Sequence, residues 1–356
     1  METKRLQFLD CVRGVAAFAV FLQHTLHALW PAFSSFSHTW FNPGKFGITA
    51  FFLTSGFVIP MSLERGQSVR RFWIGRFFRL YPLYWFSLAL ALALFSFGVE
   101  AAVTPDFGAH LVRNGLVNAT MFQEFVGIPH AVGLYYTLSI EMAFYITCTA
   151  LFVAGLNRRS LPIAWIVTAM GAIGMIAVPL VLHHRAPAAG LFSVMCLFVG
   201  TVVYRYVNGE ASLRSFLALG GTVSVVAVIG IWLNYVVLFK PDDRFTFTAV
   251  IASWSVAYAF FLAALMLRQR RFPSLLTWLG LISYSLYVLH PCMLAIFESR
   301  VAGISGFLII MASVLAGCTL TYYVIEKPFI KFGKTLSKDA RKKAEPTPIA
   351  AAASAQ

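Results

Sequence analysis

The apolar residues of this chain fall in ten blocks, most of them about 17–25 residues long, and this feature restricts the fold more than any other. Wound as a helix at about 1.5 Å per residue, such a block crosses roughly 30 Å of hydrocarbon. Inside lipid every backbone N–H and C=O must be satisfied internally, which leaves helices or closed barrels. The blocks are continuously apolar rather than alternating, so they read as helices. Composition agrees: 59% of the residues are hydrophobic and 12% charged, against about 25% charged in soluble domains. The expected fold is all-α, a polytopic integral membrane protein with about ten transmembrane helices.

The spans are read as Phe8–Trp30, Phe46–Ser62, Leu80–Val99, Tyr135–Gly155, Leu161–Val181, a short Leu191–Val203, Leu217–Phe239, Phe245–Leu267, Leu275–Phe297 and Phe307–Ile325. Lys and Arg total 28. In the connections and tail, 21 fall on one side, including the run Arg65 to Arg79, the pairs Arg158–Arg159 and Arg205–Arg214, and the cluster after Lys327. Six fall on the other (Lys45, Arg113, Arg185, Lys240, Arg244, Arg300), and Arg13 lies in a span. This asymmetry assigns the first side to the cytoplasm and, with an even number of spans, both termini as well. The net charge of +14 thus reads as a topology signal, and no nucleic-acid partner is expected. The first block has no clean small-residue cleavage site and is expected to stay as a span. Cys11, Cys148, Cys196, Cys292 and Cys318 all lie in apolar blocks, with no zinc-type spacing and no disulfide framework. No metal site is expected. Residues 1–334 form one transmembrane unit, 100–134 a long external loop, and 335–356 a disordered basic cytoplasmic tail.

Ionisable residues within spans are costly and default to a functional reading. Arg13 and His24 are eleven residues apart, three helical turns plus about 20°, so both project from one face about 16 Å apart along the axis. A guanidinium suits a phosphate, and an imidazole exchanges a proton near neutral pH. A phosphate-bearing donor held at Arg13 would present its far end to His24. The spacing fits equally well with Arg13 snorkelling to the interface beside Asp10, one turn earlier, and His24 hydrogen-bonding another helix. Glu141 is a lone acid deep in a block and needs a cation or donor; His24 is one expected partner, an arginine the other. Arg76 and Arg79, at i and i+3, share a helix side just before a span. They read as positive-inside anchors or as a pair holding an anion. His290 precedes Pro291, which disrupts the helix, and reads most simply as a packed, hydrogen-bonded partner. Ser55, in Phe51-Phe-Leu-Thr-Ser55-Gly56-Phe57, belongs to a stretch suited to close helix packing.

Taken together, these stretches resemble the membrane acyltransferase-3 family, bacterial O-acyltransferases of surface polysaccharides and related acceptors. Leu9-Asp-Cys-Val-Arg13-Gly with His24 resembles the family's opening Leu-Asp-x-Leu-Arg-Gly and Arg-x10-His motifs. Phe51 to Phe57 resembles its Phe-Phe-x-x-Ser-Gly-Phe, Arg76-Phe-Phe-Arg79 with Pro82 its Arg-x-x-Arg-x-x-Pro, and 137–145 its Thr/Ser-Leu-x-x-Glu-x-x-Phe-Tyr. Ser283-Tyr-Ser-Leu-Tyr287-Val-Leu-His290 resembles its Ser-Tyr-x-x-Tyr-x-x-His. Two departures stand out: Tyr136 replaces the usual tryptophan, and Met142 stands where many members carry a second glutamate. The latter resembles an exopolysaccharide-type acetyltransferase branch.

The resemblance implies an enzyme of the bacterial cytoplasmic (inner) membrane. It would move an acyl group from acyl-CoA, with acetyl-CoA the expected donor, to a hydroxyl of an extracytoplasmic or lipid-linked carbohydrate such as exopolysaccharide or O-antigen. No permanently bound cofactor is implied. Arg13, Arg76 and Arg79 would meet the donor's phosphates. His24 would act as general base or transient acyl carrier, oriented by Glu141, with Asp10, Ser55, Tyr287 and His290 in support. Homo-oligomerisation stays open. The competing reading is a transporter or flippase of a lipid-linked saccharide, which more often shows paired halves and broken helices.

Overall fold

The computed structural model describes residues 6–239, 245–297 and 300–344, and among these it is all-α, with no strand. Lys4, Arg5, Lys240, Arg244 and the tail beyond 344 lie outside the described residues. Ten helices are long and apolar enough to span a bilayer: α1 (Gln7–Leu29), α2 (Pro43–Gly66), α3 (Val69–Ser96), α4 (Tyr135–Val153), α5 (Asn157–Leu182), α6 (Ala188–Val207), α7 (Leu213–Val237), α8 (Phe247–Met266), α9 (Ser274–Phe297) and a tenth beginning at Gly303. The protein is a multi-pass membrane protein.

Three boundaries correct the sequence reading. Helix α3 starts at Val69, so the expected basic connection shrinks to Gln67 and Ser68. Gln67 takes a left-handed φ of 48°, and Ser68 caps α3 by accepting from the Arg71 N–H at 3.3 Å. Arg76 and Arg79 are therefore part of α3 itself. The short sixth span is in fact α6, 20 residues long and among the most enclosed of the bundle. Its end contains Arg205, which hydropathy alone placed in a connection. The tenth helix, α10 (Gly303–Thr321), runs through a π turn at Tyr322–Glu326 into α11, Lys327–Ala344. The segment expected to be disordered from 335 is thus helical to 344. There Phe78 of α3 stacks on Phe329 and meets Phe332 edge-on, which holds the start of α11 against α3.

Two glycine crossings bring the central helices close. A Cβ on Gly14 of α1 would sit 2.5 Å from the Gly280 nitrogen of α9. One on Gly56 of α2 or Gly200 of α6 would overlap the facing backbone. Lipid supplies no hydrophobic drive between helices, so close approach through small residues is how such a core gains contact.

Residues 100–134 do not form a free external loop. They fold back along α3: the Tyr84 hydroxyl donates to Asn118 O (2.7 Å), Trp85 Nε1 to Ala119 O (2.9 Å) and the Tyr81 hydroxyl to Thr120 O (3.0 Å). Asn118 ties the segment together, donating to Asn114 O and Pro129 O and accepting from the Ala131 N–H. This return path sets the depth of α4. Its first residue, Tyr135, meets Ser87 of α3 at 2.9 Å, and Ser87 in turn donates to Val288 O of α9. Helix α4 therefore begins inside the bundle.

Candidate active site

Ser55 and Gly56 are neighbours on α2, about 100° apart around the axis, and face different helices. Gly56 packs on Leu197 of α6. The Ser55 hydroxyl donates to Glu141 Oε1 of α4 at 2.8 Å. One turn along α4, the Tyr145 hydroxyl donates to the same oxygen at 2.8 Å. Glu141 is thereby held by two neutral donors rather than by a cation.

These groups line a cavity of about 130 Å³ enclosed by α1, α2, α3, α4 and α9. Arg13, Arg76 and Arg79 line it, and so do Phe51, Thr137 and Tyr287. The Tyr287 hydroxyl meets Thr137 Oγ1 at 2.7 Å, and its ring meets Phe51 edge-on at 5.3 Å between centroids. The Arg76 guanidinium lies over the Phe72 and Tyr145 rings, 5.3 and 5.4 Å from their centroids. Such cation–π contacts orient the group without consuming its N–H donors. Arg13 lies within electrostatic reach of Asp10, Glu141, Glu326 and Arg79. Among the described residues, none of the three arginines makes an ion pair or a hydrogen bond to protein. Each is half-buried, and each leaves its donors to the cavity.

Of the residues singled out from sequence, the cavity gathers Arg13, Ser55, Arg76, Arg79, Glu141 and Tyr287. It does not gather His24, His290 or Asp10. His24 lies beside His290, 5.4 Å between ring centroids, and no hydrogen bond joins it to Glu141 among the described residues. The expected His24–Glu141 pairing is thus not made by a direct hydrogen bond: Glu141 Oε1 accepts from Ser55 and Tyr145 instead. The Tyr135 hydroxyl meets Ser87, which donates to Val288 O two residues before His290, and Glu141 lies six residues, about 9 Å, further along α4. Glu141 lines the cavity together with the arginines, while His24 packs beside His290.

Sequence reading missed Glu326. It closed the last span at Ile325, but the π turn carries the helix on, and Glu326 is buried, accepting the Ser285 hydroxyl at 3.0 Å. It lies within electrostatic reach of Arg79 and Arg13. The available signal was an acid standing against an otherwise basic cluster, directly before Lys327-Pro328.

Comparison with known proteins decides the family. Residues 6–323 match the model of the acyltransferase domain family, acyltransferase 3. The chain belongs to this family. Acyltransferase MdmB of Streptomyces mycarofaciens is 30% identical over 151 residues, 40% of this chain and 38% of that protein. The match thus spans about two fifths of that relative's length. No solved structure matches. The chain is thus a multi-pass membrane member of the acyltransferase 3 family.

Proposed function

We propose that this membrane acyltransferase is an O-acyltransferase that takes an acyl group, with acetyl the expected one, from cytoplasmic acyl-CoA. It delivers the group to a hydroxyl of an extracytoplasmic or lipid-linked carbohydrate such as exopolysaccharide or O-antigen, in the bacterial inner membrane. The observation that carries this reading is the set of three half-buried guanidinium groups with unused donors facing one cavity. A polyanion is the natural partner for such a set, because each N–H then gains a charge-assisted hydrogen bond. The asymmetry of basic residues supports this reading, since it favours that end of the bundle facing the cytoplasm, where acyl-CoA is found.

In this reading the donor's phosphates meet Arg13, Arg76 and Arg79, and its thioester arm passes Phe51 and Tyr287 toward His24. The acceptor hydroxyl oxygen forms the new ester bond as the C–S bond breaks. His24 takes the hydroxyl proton and returns it to the departing thiolate. If His24 instead carries the acyl group, the same bonds change in two steps. Glu141 acts at the donor end: it balances the arginine charge and fixes Ser55 and Tyr145 beside the arm.

The test is purified protein in proteoliposomes with radiolabelled acetyl-CoA and a carbohydrate acceptor. His24→Ala should lose the roughly 10²–10⁴-fold that general acid–base catalysis supplies while still binding CoA. Near-normal transfer by well-folded His24→Ala protein would refute the chemistry. Label trapped on wild-type protein without acceptor would select the acyl-carrier route. Mass spectrometry of surface glycans with and without the gene would identify the acceptor.

A further inference from the structure

His290 is a buried ionisable group that the chemistry above leaves unused. It stands directly before Pro291, inside α9. Proline has no N–H, so the Tyr287 carbonyl loses its helical partner. In that turn His290 Nδ1 lies 2.7 Å from the Leu286 carbonyl oxygen. A carbonyl only accepts, so Nδ1 carries the hydrogen, and in the neutral ring Nε2 is left as a bare acceptor. That acceptor is fully enclosed, with the residue 0% exposed, and has no partner among the described residues. Buried polar atoms are rarely left so, and one that is calls for an explanation.

Its surroundings supply one. Phe21 closes one side of the His290 ring at 5.9 Å between centroids. The His24 ring lies at 5.4 Å, tilted by 42°. At that separation a small change in the His24 side-chain torsions lets the two imidazoles share an N–H···N hydrogen bond. His24 is only partly buried and has room to make it.

We propose that His290 is a positioning residue for His24: its Nε2 accepts the N–H of His24 and so fixes which His24 nitrogen is unprotonated. The other nitrogen then presents its lone pair to the acceptor hydroxyl. When it takes that proton, His24 becomes an imidazolium still donating to His290. His290 keeps its own proton, because Nδ1–H stays bonded to the Leu286 carbonyl. The arrangement follows the logic by which a third group orients a catalytic histidine, with a neutral imidazole in place of a carboxylate. The inference rests on reading His24 as the proton-transfer group.

Three proteins separate the outcomes: His290→Phe, which fills the space without an acceptor, His290→Gln, which restores one, and His24→Ala. In proteoliposomes, His290→Phe should lower the turnover number by roughly ten- to a hundredfold, the size of effect seen when the outer partner that fixes a functional histidine's tautomer is lost. KM for acetyl-CoA should not change, and His290→Gln should recover most of the turnover. In ¹⁵N-histidine spectra, assigned by the signal missing from His24→Ala, wild-type His24 should show one tautomer and His290→Phe a mixture. Full turnover in His290→Phe would overturn the proposal, as would equal losses in Phe and Gln variants. A tautomer mixture in wild type would overturn it even if both variants fail to fold. Unimpaired transfer by His24→Ala would instead remove the reading on which it rests.

Discussion

Arg205 and the trio Arg13, Arg76 and Arg79 stand at the basic end of the bundle and differ in what their N–H groups do. Arg205 of α6 is 3% exposed, and all five of its N–H groups are taken. Nε donates to Ser160 Oγ at 3.0 Å, the terminal nitrogens bridge both oxygens of Glu64, and the remaining hydrogens go to Glu210 and the Asn157 carbonyl. Glu64 also accepts from Asn157 Nδ2 (2.9 Å) and the Tyr204 hydroxyl (3.1 Å). Arg13, Arg76 and Arg79 are half-buried around a cavity, and their donors meet no protein acceptor among the described residues. A saturated guanidinium has nothing left for a ligand and ties α2, α5 and α6 together. An unsaturated, half-buried one facing a cavity holds its charge ready for an anion. Charge alone does not distinguish them; burial and the count of satisfied donors do.

The largest effect expected from this contrast is on stability. Glu64→Gln leaves Arg205 enclosed with Glu210 as its remaining carboxylate, and Arg205→Ala strands Glu64. Breaking a buried pair from one side typically costs about 3–5 kcal/mol, because a charge is left without compensation. Both variants should therefore show clearly lower thermal stability in detergent, while CoA affinity per folded molecule stays normal. A variant of Arg205 that folds as well as wild type but no longer binds CoA would erase the distinction.

How far this contrast could be read from sequence depends on what fixes each residue's depth. Arg13 and His24 share a helix, so their common face and spacing follow from helical geometry. Arg76 and Arg79 likewise keep their i, i+3 relation, although the helix that carries them starts eleven residues earlier than expected. Ser55 was legible as part of a packing stretch, but not as a donor to Glu141, since that needs the relative height of α2 and α4. The height of α4 is set by the fold-back of residues 100–134, whose anchoring bonds run from tyrosine and tryptophan side chains to backbone carbonyls. No periodicity records such bonds, nor that Glu141 accepts from Ser55 and Tyr145. Arg205 read as a topology marker because hydropathy cannot see an acid 141 residues away in the chain. Glu326 was missed because a π turn prolongs a helix beyond the last apolar residue.

A smaller effect is expected at the open arginines. Arg76→Ala and Arg79→Ala remove a charged contact to the donor, worth about 1.5–3 kcal/mol, or roughly ten- to a hundredfold in affinity. Isothermal titration with CoA should show this loss, and the melting temperature should barely move, because neither side chain satisfies a protein acceptor. Arg76→Lys should recover only part of the affinity, since an ammonium keeps the charge but not the planar fork. Unchanged CoA binding in both alanine variants would leave the pair as anchors to the membrane surface and would dissolve the contrast with Arg205.

The smallest effect, and the most discriminating, is at Ser55. Its hydroxyl supplies one of the two hydrogen bonds that hold Glu141 Oε1, Tyr145 the other. Ser55→Ala removes one donor from a carboxylate that is only half-buried, so Tyr145 and water compensate and the net loss should be about 0.5–1.5 kcal/mol. Folding should therefore survive, and CoA binding should fall only a few-fold, since the three guanidinium groups stay in place. Whether the hydroxyl acts through Glu141 is settled by a double-mutant cycle with Glu141→Gln. If the role of Ser55 is to position the carboxylate, it should matter much less once the charge is gone, and the two losses should be strongly non-additive. Independent losses would mean that Ser55 acts on the donor arm directly. A Ser55→Ala variant that unfolds like those at Arg205 would put the hydroxyl on the structural side of the comparison, as part of the α2–α4 contact.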